Sequence, residues 1–202
     1  MKQIVLASNN SAKAEEVRSL LAKLPLEILN QSDFRISAAE ETGLTFVENA
    51  IIKARHVAVH SGLASIADDS GLEVDALDGA PGVFSARYAG AGATDQANNA
   101  KLLTALQAVP NADRGARFHC VVVYLRHAWD PTPLICAGAW QGRILTAPRG
   151  DNGFGYDPLF YVPSHRCTSA EVSPAVKNRI SHRAQALRRL ARQLSRMPTL
   201  FL

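Results

Sequence analysis

A short apolar segment that ends in two acidic residues places the strongest constraint on the fold of this chain. The segment from Leu63 to Ala67 is brief and follows a glycine, which predicts a buried strand. The next four residues, Asp68 to Gly71, are typical of a turn, and we expect the chain to reverse there. In open α/β sheets ligands bind beyond the carboxyl ends of the strands, so we expect the chemistry at this turn.

The two adjacent carboxylates favour a bound cation. Each raises the pKa of the other unless a positive charge lies between them. Hard oxygen ligands of this kind suit a Mg²⁺ ion that carries phosphate groups. The alternative is an ordinary turn, because Asp, Ser and Gly are common turn residues. The segment alone favours neither interpretation.

The composition is typical of a soluble globular protein, since 47% of the 202 residues are hydrophobic and 20% are charged. This length fits one domain, or one domain with two lobes. No apolar run reaches membrane-spanning length, and we expect no secretory segment after Met1. The three cysteines lack metal-ligand spacing, so we expect Cys120 and Cys136 to be small core residues and the compartment to be a reducing cytoplasm.

The net charge of +4 and the pI near 9.1 favour anionic partners. Between Arg166 and Arg196 the basic residues outnumber a single acid, Glu171. This segment could be a nucleic-acid patch, a phosphate pocket or a solvated helix face, and the solvated face is the expectation where no other signal is present.

The N-terminal residues have the pattern of a phosphate-binding connection. A strand is predicted from Gln3 to Ser8, and a polar loop follows from Asn9 to Lys13. A helix is then predicted by four apolar residues with helical spacing, Val17, Leu20, Leu21 and Leu24. Such a connection offers backbone N–H groups and a cation to a phosphate. It lacks the Walker A pattern, and an ordinary strand-to-helix connection is the alternative.

The next elements are a strand from Leu26 to Leu29 and a helix that ends near Ser61. Residues Thr45 to Glu48 form a capping-box pattern, which predicts the start of this helix. Its apolar stripe leaves Lys53 facing elsewhere. His56 and His60 have the spacing of a zinc pair but no third ligand, so a solvated face is expected.

The second half of the chain is predicted to contain a helix capped by Thr94 and two strands, from Phe118 to Leu125 and from Leu134 to Leu145, as antiparallel partners. The glycine-rich segment Gly150 to Pro158 is predicted to be a loop, and its aromatic residues could stack on a nucleobase or pin the loop to the core. Two further helices are predicted after it. Ser181 would cap the second and place the two residues that follow, His182 and Arg183, at an exposed helix start.

An ordered set of motifs runs along the chain. The motifs are Ser8 to Lys13, Thr42 to Phe46, Glu48 to Ala50, Asp68 to Leu72, Gly79 to Gly82 with Ser85 to Tyr88, Gly153 to Pro158, and Ser181 to Arg183. Together they resemble the Ham1/RdgB family of inosine triphosphate pyrophosphatases, in its bacterial form. The resemblance covers nearly the whole chain, and it is the ordered set of motifs that is specific.

The resemblance implies a single domain over residues 1–202, with an elongated α/β fold of two lobes. A long mixed β-sheet flanked by helices would run through it, with a substrate cleft between the lobes. It also implies a homodimer that hydrolyses ITP, dITP and XTP to the monophosphate and pyrophosphate with Mg²⁺. We expect no nucleic-acid partner and no membrane partner.

The resemblance also implies the roles of individual residues. Ser8, Asn9, Asn10, Ser11, Ala12, Lys13, Lys53 and Lys177 would hold the triphosphate. Glu40 and Asp69 would bind the metal, with Asp69 also acting as the catalytic base and Ser70 touching the substrate. The purine base would be surrounded by Phe154, Gly155, Tyr156, Asp157, His182 and Arg183.

The chain departs from the family pattern in two places. The phosphate loop is often Thr-Gly-Asn in the family, whereas here it is Ser8-Asn9-Asn10, so Asn9 is expected to take the backbone conformation of the glycine. Ahead of Lys177 the family commonly has acidic residues, whereas here residues 173–176 carry none.

Two other functions account for parts of the sequence. A hydrolase could use Ser70 or Ser181 as nucleophile with His182 and an Asp, but the chain has no G-x-S-x-G motif and Ser181 adjoins His182. A nucleic-acid module could be built on the basic C-terminal segment, but it would leave Asp68 and Asp69 without a role.

Overall fold

The computed structural model describes residues 1–197, except for the side chain of Ala12. In chain order the main elements are β1 (Lys2–Leu6), α1 (Ser11–Leu21), β2 (Leu26–Asn30), α2 (Phe46–Ser61), β3 (Ala64–Val74), α3 (Asp95–Ala105), β4 (Gly115–Leu125), β5 (Leu134–Ile144), β6 (Phe160–Val162), β7 (Cys167–Thr168), α4 (Pro174–Ile180) and α5 (His182–Leu194). Short 3₁₀ helices occupy some of the connections, including Gly82–Arg87.

The strands form a mixed seven-stranded sheet in the order β2-β1-β3-β4-β5-β6-β7. Strand β1 is parallel to both β2 and β3, whereas β6 is antiparallel to β5 and β7. The α/β class with a long mixed sheet is therefore confirmed. None of the helices in residues 1–197 is long and apolar enough to cross a membrane.

The chain divides into two compact units. The first contains Met1–Asp69, Cys120–Gly138 and the residues from His182 onward; the second contains Ser70–His119 and Ala139–Ser181. The assignment of residues 1–202 to a single domain, and of a cleft between its lobes, stays a prediction.

The first unit has apolar cores on both faces of its strands. Helices α1 and α5 pack with Ile4, Leu6 and Ile66 on one face, and α2 packs with Val5 and Ala67 on the other. Because side chains alternate along a strand, Asp68 continues the face of Ile66 and Asp69 the face of Ala67. Cys120 and Cys136 lie buried in the first of these cores, as predicted.

The helix boundaries of the first unit follow from their capping residues. The side chain of Asn10 accepts a hydrogen bond from the backbone N–H of Lys13, which starts α1 at Ser11. Thr45 and Glu48 form the predicted capping box of α2. The lack of a side chain at Gly138 lets α5 pack closely on β5, because a Cβ atom there would lie 2.2 Å from the carbonyl oxygen of His182.

The second unit has one core, built by strand and helix residues such as Leu72, Leu102, Phe118 and Phe160. Thr94 caps α3, as predicted, with its side chain accepting from Ala97 N–H. Ser173 caps α4, whose first residue is Pro174. Helix α4 therefore begins normally without the acidic residues that the family commonly has there.

Two predictions about local structure are wrong. The chain does not turn at Asp68 to Gly71, because β3 continues through these residues to Val74. The prediction that Asn9 takes the conformation of the family's glycine stays a prediction, although Asn9 is absent from the described residues with positive φ. His182 and Arg183 begin α5 but are buried, with 6% and 3% of their surfaces exposed.

Candidate active site

The predicted phosphate loop connects β1 to α1. Within it, the backbone N–H of Asn10 donates to the Ser8 hydroxyl over 3.2 Å, and the N–H of Lys13 donates to the Asn10 side chain over 3.1 Å. Asn9 accepts a 2.7 Å hydrogen bond from the side-chain amide of Gln31, which is buried. Ser11 is exposed at the helix start, and the side chain of Ala12 lies outside the described part of the chain.

Asp68 is the centre of a buried ion-pair cluster in the first unit. Its Oδ2 lies 3.4 Å from Lys13 Nζ and 3.3 Å from Arg183 Nε. The Nη1 atom of Arg183 donates to Glu16 Oε2 over 2.6 Å. This cluster therefore joins α1, β3 and the start of α5 through charged side chains.

The positive charges around Asp68 decide its protonation state. Burial alone would raise its pKa, but Lys13, Arg183 and Lys53 more than offset this effect and hold the pKa of the carboxyl well below its usual value. Asp68 is therefore an anion at neutral pH. The pKa of the Arg183 guanidinium is raised: burial disfavours its charge, but Asp68 and Glu16 outweigh this.

Asp69 lies on the opposite face of β3 and meets a different cation. Its Oδ1 accepts a 2.7 Å hydrogen bond from Lys53 Nζ, which also lies 3.0 Å from Glu41 Oε1. The second oxygen, Oδ2, is buried and has no hydrogen-bond partner among the residues that the structure describes. Asp69 therefore presents one oxygen that a water molecule or a cation could satisfy.

The pKa of Asp69 is shifted in the direction that general-base chemistry needs. Burial and the nearby Glu41 carboxylate raise the pKa of Asp69, whereas Lys53 and Lys13 act against them. The pKa of Lys53 is raised as well: burial disfavours its charge, but the negative charges of Asp69, Asp68 and Glu41 outweigh this effect. A carboxylate with a raised pKa is a better proton acceptor in catalysis.

The residues present fit a divalent cation that is completed by substrate. No cluster of three or more His, Cys, Asp or Glu residues with metal-binding geometry occurs in residues 1–197. Mg²⁺ is often held by one or two carboxylates together with substrate phosphates. Glu40, the predicted partner of Asp69, is exposed, and it is the next residue, Glu41, that approaches Lys53 beside Asp69.

The glycine-rich loop of the second unit is organised around Asp157. The Oδ2 atom of Asp157 accepts from Phe154 N–H over 2.9 Å and from Lys177 Nζ over 2.5 Å, and its Oδ1 accepts from the Ser169 hydroxyl over 2.6 Å. Lys177 Nζ lies 5.3 Å from the centre of the Phe154 ring, within cation–π range. Asp157 is buried, so it shapes this loop from inside.

Two neighbours of Asp157 tie the same loop to other elements of the second unit. The hydroxyl of Tyr156, which is buried, donates to the carbonyl oxygen of Ser85 over 2.9 Å. The N–H of Gly155 donates to Asp95 and its carbonyl accepts from Asn99, both on α3. Of the predicted substrate-binding residues in this unit, Phe154, Gly155, Lys177 and Ser70 are each partly exposed.

The chain matches the model of the Ham1 family over residues 4–193. The chain belongs to the Ham1 family. A dITP/XTP pyrophosphatase of Vibrio vulnificus is 58% identical over 198 residues, which cover 98% of this chain and 99% of that protein. A HAM1 protein from Coxiella burnetii with a solved structure is 55% identical in sequence, and its structure matches this one with a TM-score of 0.92. The match covers 98% of this chain and 100% of that one.

A more distant solved structure, the Staphylococcus aureus Ham1 protein, is 42% identical, has a TM-score of 0.85, and covers 96% of this chain and 98% of that one. The Ham1 family hydrolyses non-standard purine nucleotides. Its pyrophosphatases typically use a divalent metal ion. The family resemblance read from the motifs is therefore confirmed.

Sequence reasoning missed four residues that shape the site of this Ham1-family member. Glu16 lies on α1 and binds Arg183. Glu41, Gln31 and Ser169 were not predicted to contact site residues. No local pattern marks these residues, because each meets its partner only through the fold.

Proposed function

We propose that this chain hydrolyses ITP, dITP and XTP to the corresponding monophosphate and pyrophosphate with Mg²⁺. The observation that carries the proposal is Asp69, a buried carboxylate with one unpartnered oxygen, held beside the ammonium group of Lys53. The names of the relatives, dITP/XTP pyrophosphatases at 56–59% identity, support the same reaction.

Asp69 is the proposed general base. Water adds to a phosphorus atom of the α–β anhydride, the bridging P–O bond breaks, and the water proton passes to the Asp69 carboxylate. The raised pKa of Asp69 supports this role, since it brings the proton affinity of the carboxylate closer to what proton transfer near neutral pH requires. The group that was not attacked leaves with the bridging oxygen and the pair of electrons from the broken bond, and the products are the monophosphate and pyrophosphate.

The positive groups that the sequence singled out are the proposed phosphate ligands. Lys13 and Lys53 are partly buried and already face carboxylates in the first unit, and Lys177 does so in the second. The loop from Ser8 to Lys13 leads into the start of α1, where the helix dipole favours an anion. Cleavage of a phosphoanhydride depends mainly on such charge neutralisation.

Asp69 with Glu40 is the proposed metal site. When bound there, Mg²⁺ would polarise the phosphate oxygens and lower the pKa of a nearby water molecule. The unpartnered Oδ2 of Asp69 supports Asp69 as a ligand. The assignment of Glu40 as the other metal ligand rests on the family pattern alone.

Base selection is proposed to involve His182 and Arg183 with the loop residues Phe154 to Asp157, and Ser70 is proposed to touch the substrate. Hypoxanthine and xanthine have a 6-keto oxygen, an acceptor, where adenine has an amino donor. The guanidinium group of Arg183 has only donors. A donor facing the adenine amino group would bury two unsatisfied donors, which disfavours ATP by about 1–3 kcal/mol for each.

The remaining proposals are that the protein acts as a cytoplasmic homodimer and that it has no nucleic-acid partner. Equilibrium sedimentation of the full chain would test the dimer.

The reaction is tested by measuring released pyrophosphate over a panel of ITP, dITP, XTP, GTP and ATP, with and without Mg²⁺. The expected result is rapid release from the first three nucleotides only, and only with the metal. Equal rates for ATP and ITP, or release of inorganic phosphate in place of pyrophosphate, would refute the proposal.

A further inference from the structure

Lys53 occupies the position of a bridging cation in the first unit. Its ammonium nitrogen lies 2.7 Å from Asp69 Oδ1 and 3.0 Å from Glu41 Oε1. The side chain of Lys53 is 14% exposed and that of Asp69 is 9% exposed, so water screens this charge pair weakly. Glu41 and Asp69 are thus brought together through one lysine.

These two carboxylates have the chemistry of a divalent-cation site. Both present hard oxygen atoms, the ligands that Mg²⁺ and Mn²⁺ prefer. Asp69 Oδ2 is buried without a hydrogen-bond partner among residues 1–197. A buried carboxylate oxygen left without a donor is costly, so a cation that reached Oδ2 after Lys53 had moved away would be stabilising.

While the ammonium group lies on Asp69 Oδ1 and Glu41 Oε1, it repels a divalent cation that approaches the same two carboxylates, including one that approaches Asp69 Oδ2. Lys53 is also a proposed phosphate ligand. A triphosphate that binds Lys53 would therefore draw the ammonium group away from Asp69 and Glu41 and leave both carboxylates to the metal.

We propose that Lys53 is an internal counter-ion that keeps a divalent cation away from Asp69 and Glu41 until a triphosphate engages the lysine. The inference rests on the proposed function for the identity of the nucleotide. It makes metal and nucleotide binding positively coupled. Such coupling is reciprocal, so each ligand tightens the binding of the other by the same factor.

The first experiment measures Mn²⁺ affinity by isothermal titration without nucleotide, in the wild type, Lys53→Met and Lys53→Arg. Removing the charge should tighten Mn²⁺ binding about tenfold or more, within the range typical of coupled sites. Lys53→Arg keeps the charge and should bind Mn²⁺ as weakly as the wild type. Unchanged Mn²⁺ affinity in a folded Lys53→Met variant would overturn the proposal. If circular dichroism shows that Lys53→Met is unfolded, the same measurement is made on Lys53→Gln.

The second experiment identifies the ligands in the Lys53→Met background. Glu41→Gln should weaken Mn²⁺ binding more than Glu40→Gln does, because Glu41 is the carboxylate that Lys53 joins to Asp69. A larger effect of Glu40→Gln would show that Glu41 is not the ligand and would overturn that part of the proposal.

The third experiment measures the coupling itself. The non-hydrolysable α,β-methylene analogue of ITP should tighten Mn²⁺ binding in the wild type at least about fivefold more than in Lys53→Met. Equal tightening in both proteins would contradict the counter-ion role. None of these measurements depends on turnover, so a wild type that fails to release pyrophosphate from ITP would refute the proposed function while the Mn²⁺ results still decide the role of Lys53.

Discussion

Gly153 allows the side chain of Asp157 to fold back against the loop that carries both residues. Its φ angle is +83°, and a Cβ atom at this position would lie 2.1 Å from Asp157 Oδ2. That oxygen accepts the hydrogen bonds from Phe154 N–H and Lys177 Nζ. Gly153→Ala would therefore force Asp157 out of its place as well as strain the backbone.

Gly155, two residues later, provides a matched control. Its φ angle is +62°, but a Cβ atom there would have nothing within 4 Å. Gly155→Ala should therefore cost only the left-handed backbone strain, about 1–2 kcal/mol. Gly153→Ala should cost the same strain plus a charged hydrogen bond worth about 1.5–3 kcal/mol, a total of about 2.5–5 kcal/mol.

The assay is equilibrium urea unfolding of both variants, with the KM for ITP as a second readout because Lys177 should move with Asp157. Repeating Gly153→Ala in an Asp157→Ala background should remove the extra cost and leave only the strain. The reasoning fails if the two glycine variants lose the same free energy of unfolding, or if the cost of Gly153→Ala is unchanged in the Asp157→Ala background.

Four further predictions follow from the site. Asp69→Asn should lower kcat for ITP by about 10²–10⁴-fold with less effect on KM, and a variant that keeps most of its kcat at saturating Mg²⁺ would exclude the base role. Arg183→Met leaves Asp68 buried without this partner, so urea unfolding should show a loss of about 3–5 kcal/mol. In the same Arg183→Met variant, the ratio of kcat/KM for ITP to that for ATP should fall more than the ratio for ITP to GTP. An unchanged ITP/ATP ratio would mean that Arg183 does not read the 6-position of the purine. Because the pKa of Asp68 is lower in the folded protein than in the unfolded chain, its contribution to stability is present above about pH 4 and is lost as pH falls towards the folded-state pKa; urea midpoints measured at pH 7, 4 and 3 should decline mainly over the last interval. Asn9→Gly removes the hydrogen bond to Gln31 and should raise the KM for ITP about two- to tenfold with kcat nearly unchanged. Gln31→Leu removes the same hydrogen bond and should have the same effect. An effect of only one of the two variants would contradict a role for this hydrogen bond in binding ITP.

Local sequence determined the elements of this protein and the family to which it belongs. The capping box at Thr45, the cap at Thr94 and the buried strand through Ile66 were all predicted correctly. Such signals need only residues within one turn of helix or a few positions of strand, so they can be read without the fold.

The same local reasoning failed at the acidic residues of β3. Asp and Gly are common in turns, which favoured a reversal at Asp68 to Gly71. The strand continues because each carboxylate meets a cation from another element, Lys13 and Arg183 on one face and Lys53 on the other. Charges in a buried strand are tolerated only where such partners exist, and the partners lie outside the local pattern.

Tertiary structure alone decided which charges meet. Arg183 is 115 residues from Asp68 and 167 residues from Glu16 along the chain, yet it contacts both. The expectation of an exposed helix start at Arg183 was reasonable for an arginine after a capping serine, because long charged side chains are rarely buried unless they are paired. Whether a pairing partner is present depends on the packing of α1 and α5 against the sheet, and no residue near Arg183 in the sequence carries that information.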